Sequence, residues 1–126
     1  MQLPSITILV VDDNPQVRSL IARVLREGGY SVVEAHDGLE ALLMLHMMPE
    51  PQLLVTDVVM PGINGFDLAS HIVAARNVPV LFVSAYAQSG TDVPGPVLQK
   101  PFLPETLLDL VARLLALAHP SAKKTA

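Results

Sequence analysis

Cysteine is absent from the 126 residues. That excludes a disulfide framework and a thiolate metal site, and it fits a reducing compartment. Basic residues are few: eight Lys and Arg against twelve Asp and Glu leave a formal charge of −4 and a pI near 5.4. Such a chain lacks the positive footprint that nucleic acid or an anionic membrane surface needs, so neither is expected as a partner, whereas the charge is compatible with a divalent cation. Long apolar runs are missing as well. The longest, Leu107 to Ala118, carries Asp109 and Arg113 and is too short to span a bilayer. Residues 1–5 have neither the basic region nor the apolar stretch of a secretory signal, so the expected location is cytoplasmic. There is no internal repeat and no linker, and the length suits a single domain over 1–126. Apolar residues, 51% of the total, suffice for its core.

What is present is an alternation of strand-like and helix-like segments, the pattern of a parallel sheet covered by helices on both faces. The segment 6–11 is β-rich and nearly all apolar, as a strand buried on both sides should be. Asn14-Pro15 opens a helix with Asn as cap and Pro in the first turn, and Gly28-Gly29 closes it. Its apolar face is Val17, Leu20, Ile21, Val24 and Leu25. A second strand covers 31–35. Asp37 caps a second helix whose expected core face is Leu39, Leu42, Leu43, His46 and Met47, with Met44, Met47 and Met48 as gap-filling core side chains. A third strand at 53–56 delivers Asp57 at its end. The turn Met60-Pro61-Gly62 leads to a third helix over about 65–75, and a fourth strand at 80–83 ends at Ser84. A short strand at 97–99 ends at Lys100, and the last helix starts near Pro104 with Leu107, Leu110, Val111, Leu114 and Leu115 on one face. Residues 119–126 read as a flexible tail beyond a core of about 6–117.

Asp12, Asp13, Asp57, Ser84 and Lys100 share one property: each lies at, or one residue beyond, the C-terminal end of an expected strand. In an open parallel sheet those ends line up along one edge, where ligands bind. Three carboxylates in one crevice repel one another and need a hard cation to stay ionised together. All-oxygen ligation with few protein groups suits Mg²⁺, completed by water and a phosphate oxygen. Asp57 can then serve as a carboxylate nucleophile toward phosphorus, while Lys100 and Ser84 stabilise charge on the phosphoryl oxygens. The histidines at 36, 46, 71 and 119 have no ligand spacing, and His46 is expected as a packed core residue.

Four motifs carry a resemblance: Val-Val-Asp-Asp-Asn-Pro (10–15), Thr-Asp-Val-Val-Met-Pro-Gly (56–62), Phe-Val-Ser-Ala (82–85) and Lys-Pro-Phe (100–102). In this order and spacing the chain resembles the receiver domains of response regulators over about residues 6–117. The resemblance implies an α/β, flavodoxin-like (βα)5 three-layer sandwich with sheet order 2-1-3-4-5. It implies a phosphoacceptor switch of a two-component system or phosphorelay rather than an enzyme. Asp57 corresponds to the phosphoacceptor, Asp12 and Asp13 to the acidic Mg²⁺ pair, and the backbone carbonyl of Val59 to a third protein ligand. Ser84 corresponds to the switch hydroxyl and Lys100 to the phosphoryl-contacting lysine, with a cis bond to Pro101. The implied donor is a histidine kinase or histidine phosphotransfer protein.

The chain departs from that pattern between Ser84 and Lys100. Only 15 residues lie between them, among them Gly90, Pro94, Gly95 and Pro96. After a strand and its turns, too few remain for a mean helix of about 11 residues, so the fourth helix is expected to be short or missing. Val97 stands where many receivers carry an aromatic ring, and Tyr86 is the candidate to replace it. Leu108, Ala112 and Ala116 form an extra apolar line on the last helix, expected to pair with another protein or a second copy. Phosphatases of the haloacid dehalogenase type need an acid where Val59 stands, and dinucleotide binders need a Gly-rich turn after the first strand; both readings fail. The remaining alternative is an unphosphorylated pseudo-receiver that only docks. The initiating Met1 favours a stand-alone regulator over a piece of a hybrid kinase.

Overall fold

The computed structural model describes residues 6–76, 78–85 and 95–118. Five strands form one parallel sheet in the order β2-β1-β3-β4-β5: β1 (Thr7–Val11), β2 (Ser31–Ala35), β3 (Leu53–Asp57), β4 (Val80–Ser84) and β5 (Val97–Gln99). Among the described residues there are four helices: α1 (Pro15–Glu27), α2 (Gly38–Met47), α3 (Gly65–Arg76) and α4 (Pro104–Ala118). This is the expected flavodoxin-like arrangement. The shortened or missing helix between β4 and β5, and Tyr86 with it, fall on 86–94, outside the described residues, as does the tail at 119–126.

Alternation along each strand sorts the core into two halves. Leu9, Val11, Leu54 and Phe82 face one side and pack with Ala41 and Leu45 of α2 and Leu68, Ala69 and Ile72 of α3. Ile8, Val10, Leu53, Val55, Leu81 and Val83 face the other side and pack with Ile21, Val24 and Leu25 of α1 and Leu107, Val111 and Leu115 of α4. Because every central strand is covered twice, its residues must be apolar on both faces, which is why 8–11 and 53–55 read as unbroken hydrophobic runs.

The caps follow from local chemistry. Asn14 Oδ1 accepts the N–H groups of Gln16 (2.9 Å) and Val17 (3.2 Å). Asp37 Oδ1 accepts that of Glu40 (2.8 Å), whose Oε1 in turn accepts the N–H of His36 (2.8 Å). The bonds to Asn14 and Asp37 satisfy first-turn donors that no helical carbonyl reaches, and the bond from His36 ties the residue before the cap to the first turn of α2. Helix α1 ends at Gly28, and Gly29 follows at φ +98°, a conformation that favours glycine.

Three packing expectations are corrected. On α2 the buried positions are Gly38, Ala41 and Leu45, while Leu39 (61% exposed), Leu43 (57%) and Met47 (87%) point away from the sheet. His46 is exposed too, and Met44 and Met48 are only half-buried. This helix is apolar nearly all round, so periodicity alone could not choose a face. Small residues chose it, since Gly38 lies so close to Ile63 that a Cβ would come within 2.9 Å of that side chain. On α1, Leu20 is 43% exposed and Ala22 is buried in its stead. On α4, Leu108 is half-buried over Gly28, where an added Cβ would lie 2.6 Å from its Cδ2. It belongs to the core margin rather than to a free outer line with Ala112 and Ala116.

Candidate functional site

The register brings four strand ends level: Val11 pairs with Thr56, Asp57 with Val83, and Ser84 with Gln99. The residues at or just past those ends therefore share one rim. Asp12, Asp13 and Asp57 each present a carboxylate oxygen there, all within 4.8 Å of one another. Lys100, carried on the turn after β5, reaches into the same crevice. Its Nζ lies 3.1 Å from Asp12 Oδ2 and 3.5 Å from Asp57 Oδ2. The Lys100–Pro101 bond is cis.

Burial differs across the cluster. Asp12 is fully buried, Asp57 is intermediate and Asp13 is exposed. Asp12 is held by its own turn, with Oδ1 accepting the N–H of Asn14 at 2.9 Å and its backbone N–H donating to Ala35 O at 3.2 Å. Asp57 Oδ1 accepts the N–H of Val58 at 2.8 Å, which leaves Oδ2 directed toward Lys100. Burial pushes the Asp57 carboxyl above its ordinary range, and the nearby Asp12 charge pushes the same way; Lys100 and the Val58 N–H pull it back. One ammonium against three carboxylates leaves the crevice short of positive charge. Its all-oxygen donor set is of the hard type that a small divalent cation takes.

Ser84 is fully buried at the end of β4, and its carbonyl accepts the backbone N–H of Lys100 at 2.7 Å, which ties these two residues together. Val59 lies two residues past Asp57 with an exposed side chain. Of the residues singled out from sequence, Asp12, Asp13, Asp57 and Lys100 thus meet through their side chains, and Ser84 joins through the backbone of Lys100. His36, His46 and His71 are not among these ligating groups, and His119 lies outside the described residues. His36 sits beside Asp37 and Glu40, and among the described residues the three aspartates are the one group with metal-ligand spacing.

Two supporting residues were not anticipated. Arg18 Nη1 donates to the backbone carbonyl of Asp12 at 2.9 Å while its Nε faces Glu34 Oε1 at 3.4 Å. Glu34 is also held by Arg26 at 3.3 Å, so a chain of charges ties the acidic turn to α1 and β2. No local motif links Arg18 to Glu34; only the pairing of β1 with β2, where Val10 stands beside Glu34, brings them together. Gly65 is the second. Its N–H donates to Val58 O at 2.8 Å, and a Cβ there would overlap the Asp57 carbonyl. The signal for it was a glycine at the first position of a helix, where a better helix former would otherwise serve.

Comparison with known proteins agrees with this geometry. Residues 8–112 match the family model described as the response regulator receiver domain. Response regulator MprA of Mycobacterium tuberculosis is 37% identical over 123 residues, covering 92% of this chain and 53% of that protein. The uncharacterized transcriptional regulatory protein YrkP of Bacillus subtilis is 34% identical over 115 residues, covering 86% and 48%. The chain thus spans about half the length of these curated relatives. Among solved structures, the receiver domain of the hybrid histidine kinase CckA superposes with a TM-score of 0.75 at 39% identity, over 86% of this chain and 98% of that one. Response regulator TrrA of Thermotoga maritima, solved in complex with Mg²⁺ and BeF, gives 0.77 at 31% identity, over 86% and 97%.

Proposed function

This chain belongs to the response regulator receiver family, and from that premise we propose that it is a phosphoacceptor switch whose Asp57 takes a phosphoryl group in the presence of Mg²⁺. The donor is a histidine kinase or a histidine phosphotransfer protein, the setting is the cytoplasm, and residues 6–117 act as the folded core of one domain. Among the described residues, no helix is long and apolar enough to cross a membrane.

One observation carries the reading: three carboxylates converge within 4.8 Å, and one lysine touches both a buried and a half-buried member of the set. Asp12, Asp13, Asp57 and the Val59 backbone carbonyl would hold the cation, which supplies positive charge that offsets phosphate and carboxylate together. Asp57 Oδ2 then attacks phosphorus. The O–P bond forms as the P–N bond of the phosphohistidine breaks, and the electron pair leaves on the imidazole nitrogen. Lys100 transfers its contact from carboxylate to phosphoryl oxygen, and the buried Ser84 hydroxyl becomes a donor to the same group. Little covalent work falls to the protein; it positions the groups and compensates charge.

The test is incubation with a small phosphodonor and Mg²⁺, followed by intact mass. A single phosphoryl adduct is expected, absent when a chelator replaces Mg²⁺ during the incubation and absent in Asp57→Asn. An unmodified wild-type mass in saturating Mg²⁺ would sink the reading and leave a domain that docks without being phosphorylated.

A further inference from the structure

Among the described residues the buried polar side chains are Asp12, Thr56 and Ser84. All three stand at, or next to, the C-terminal end of a strand, and the site already uses two of them. Thr56 is the third. It follows the apolar run Leu53-Leu54-Val55 and pairs in register with Val11 on one side and Phe82 on the other. A hydroxyl in such surroundings costs free energy unless it finds a partner. Its partner is the backbone carbonyl of the next residue, with Thr56 Oγ1 donating to Asp57 O at 2.9 Å.

We propose that Thr56 is a positioning residue for the phosphoacceptor, acting through the peptide unit that joins Asp57 to Val58. That unit is planar, so its carbonyl and its N–H cannot turn independently. The carbonyl end is held by the Thr56 hydroxyl and backed by Gly65, where a Cβ would overlap Asp57 O. The N–H end donates to Asp57 Oδ1 at 2.8 Å. Fixing one end therefore fixes the other. With Oδ1 engaged, Oδ2 is left facing Lys100 Nζ at 3.5 Å. Threonine suits the task because branching at Cβ restricts χ1, and in the buried position water does not compete for the bond. Valine in its place keeps the shape and discards the donor; serine keeps the donor and discards the methyl. Without the donor the peptide is free to tilt, and the carboxylate turns with it. A nucleophile misplaced by about 1 Å loses on the order of 100-fold in rate. The inference rests on the phosphoacceptor reading and deepens it by naming the residue that aims the nucleophile.

Thr56→Val and Thr56→Ser separate positioning from packing. Each should lower Tm by about 2–8 °C, the first by leaving a buried carbonyl unpaired and the second by deleting a buried methyl. Their reactivities should differ. With a small phosphodonor in saturating Mg²⁺, adduct formation followed by intact mass should slow about tenfold or more in Thr56→Val and less than about threefold in Thr56→Ser. A second readout needs neither metal nor phosphodonor. Hydrogen exchange of the Val58 amide, taken relative to the Leu54 amide of the same strand, should quicken about tenfold or more in Thr56→Val and stay near wild type in Thr56→Ser. A purely structural role would slow phosphorylation alike in both variants, because both lose stability. That result, a Thr56→Val protein reacting at the wild-type rate, or a Val58 amide unmoved by Thr56→Val would overturn the proposal and leave Asp57 as the acceptor. A wild type that takes no phosphoryl group would overturn both readings together.

Discussion

Asp57→Asn is nearly isosteric and keeps the acceptor that binds the Val58 N–H, so it alters charge and little else. With its oxygens up to 4.8 Å from those of Asp12 and Asp13, and an effective dielectric of about 20, each repulsion amounts to ~3.5 kcal/mol. Attraction to Lys100 at 3.5 Å opposes this with ~4.7 kcal/mol on the same scale. Asp13 is exposed, so solvent screens much of its share. The balance, with relief of the burial cost, predicts that Asp57→Asn stabilises the metal-free protein by roughly 1–2 kcal/mol, or about 3–8 °C in Tm. The pH dependence follows from the direction of the shift. A carboxyl whose folded pKa is raised destabilises the fold at neutral pH, and that penalty fades as pH falls through the raised value toward the unfolded value near 3.9. The gap between variant and wild type is therefore full at pH 7 to 8 and narrows on acidification. Mg²⁺ closes most or all of that gap: at about ten times its Kd it adds ~1.4 kcal/mol to the wild type alone. Calorimetric melts in chelator and in millimolar Mg²⁺, at several pH values, supply the readout. A variant less stable than wild type in chelator, or stabilised equally by Mg²⁺, would refute the charge argument.

Other perturbations probe the supports of the same rim. Arg18→Ala removes the donor to the Asp12 carbonyl and one partner of Glu34; it should cost about 1–3 kcal/mol and weaken Mg²⁺ binding several-fold by calorimetric titration. Arg18→Lys should recover little, since an ammonium cannot serve both partners as the fork does, and an unchanged Mg²⁺ titration in Arg18→Ala would refute the positioning role. Gly65→Ala should lower the denaturant midpoint by the equivalent of about 1–3 kcal/mol, because the added methyl overlaps the Asp57 carbonyl. At a free helix position the same change would stabilise by up to ~1 kcal/mol, so the sign alone decides the matter.

Much of this molecule was legible in the chain itself. Strand runs apolar on both faces can be satisfied only by a doubly covered parallel sheet, and that topology sends every strand end to one rim. The convergence of Asp12, Asp13, Asp57, Ser84 and Lys100 on that rim therefore followed from hydrophobic pattern plus connectivity. The caps at Asn14 and Asp37 were equally readable, because a helix start is decided within four residues. Tertiary structure decided what local pattern leaves degenerate. On α2, where nearly every position is apolar, the face that packs was chosen by which side chains are small enough to approach Ile63 and the sheet, and that choice sent Leu39, Leu43 and Met47 outward. Leu108 went inward for the reciprocal reason, over the space that Gly28 leaves. Arg18 and Gly65 became supports of the site through contacts with backbone carbonyls of the rim strands, and a carbonyl belongs to every residue, so no pattern of side chains announces which one will need a partner.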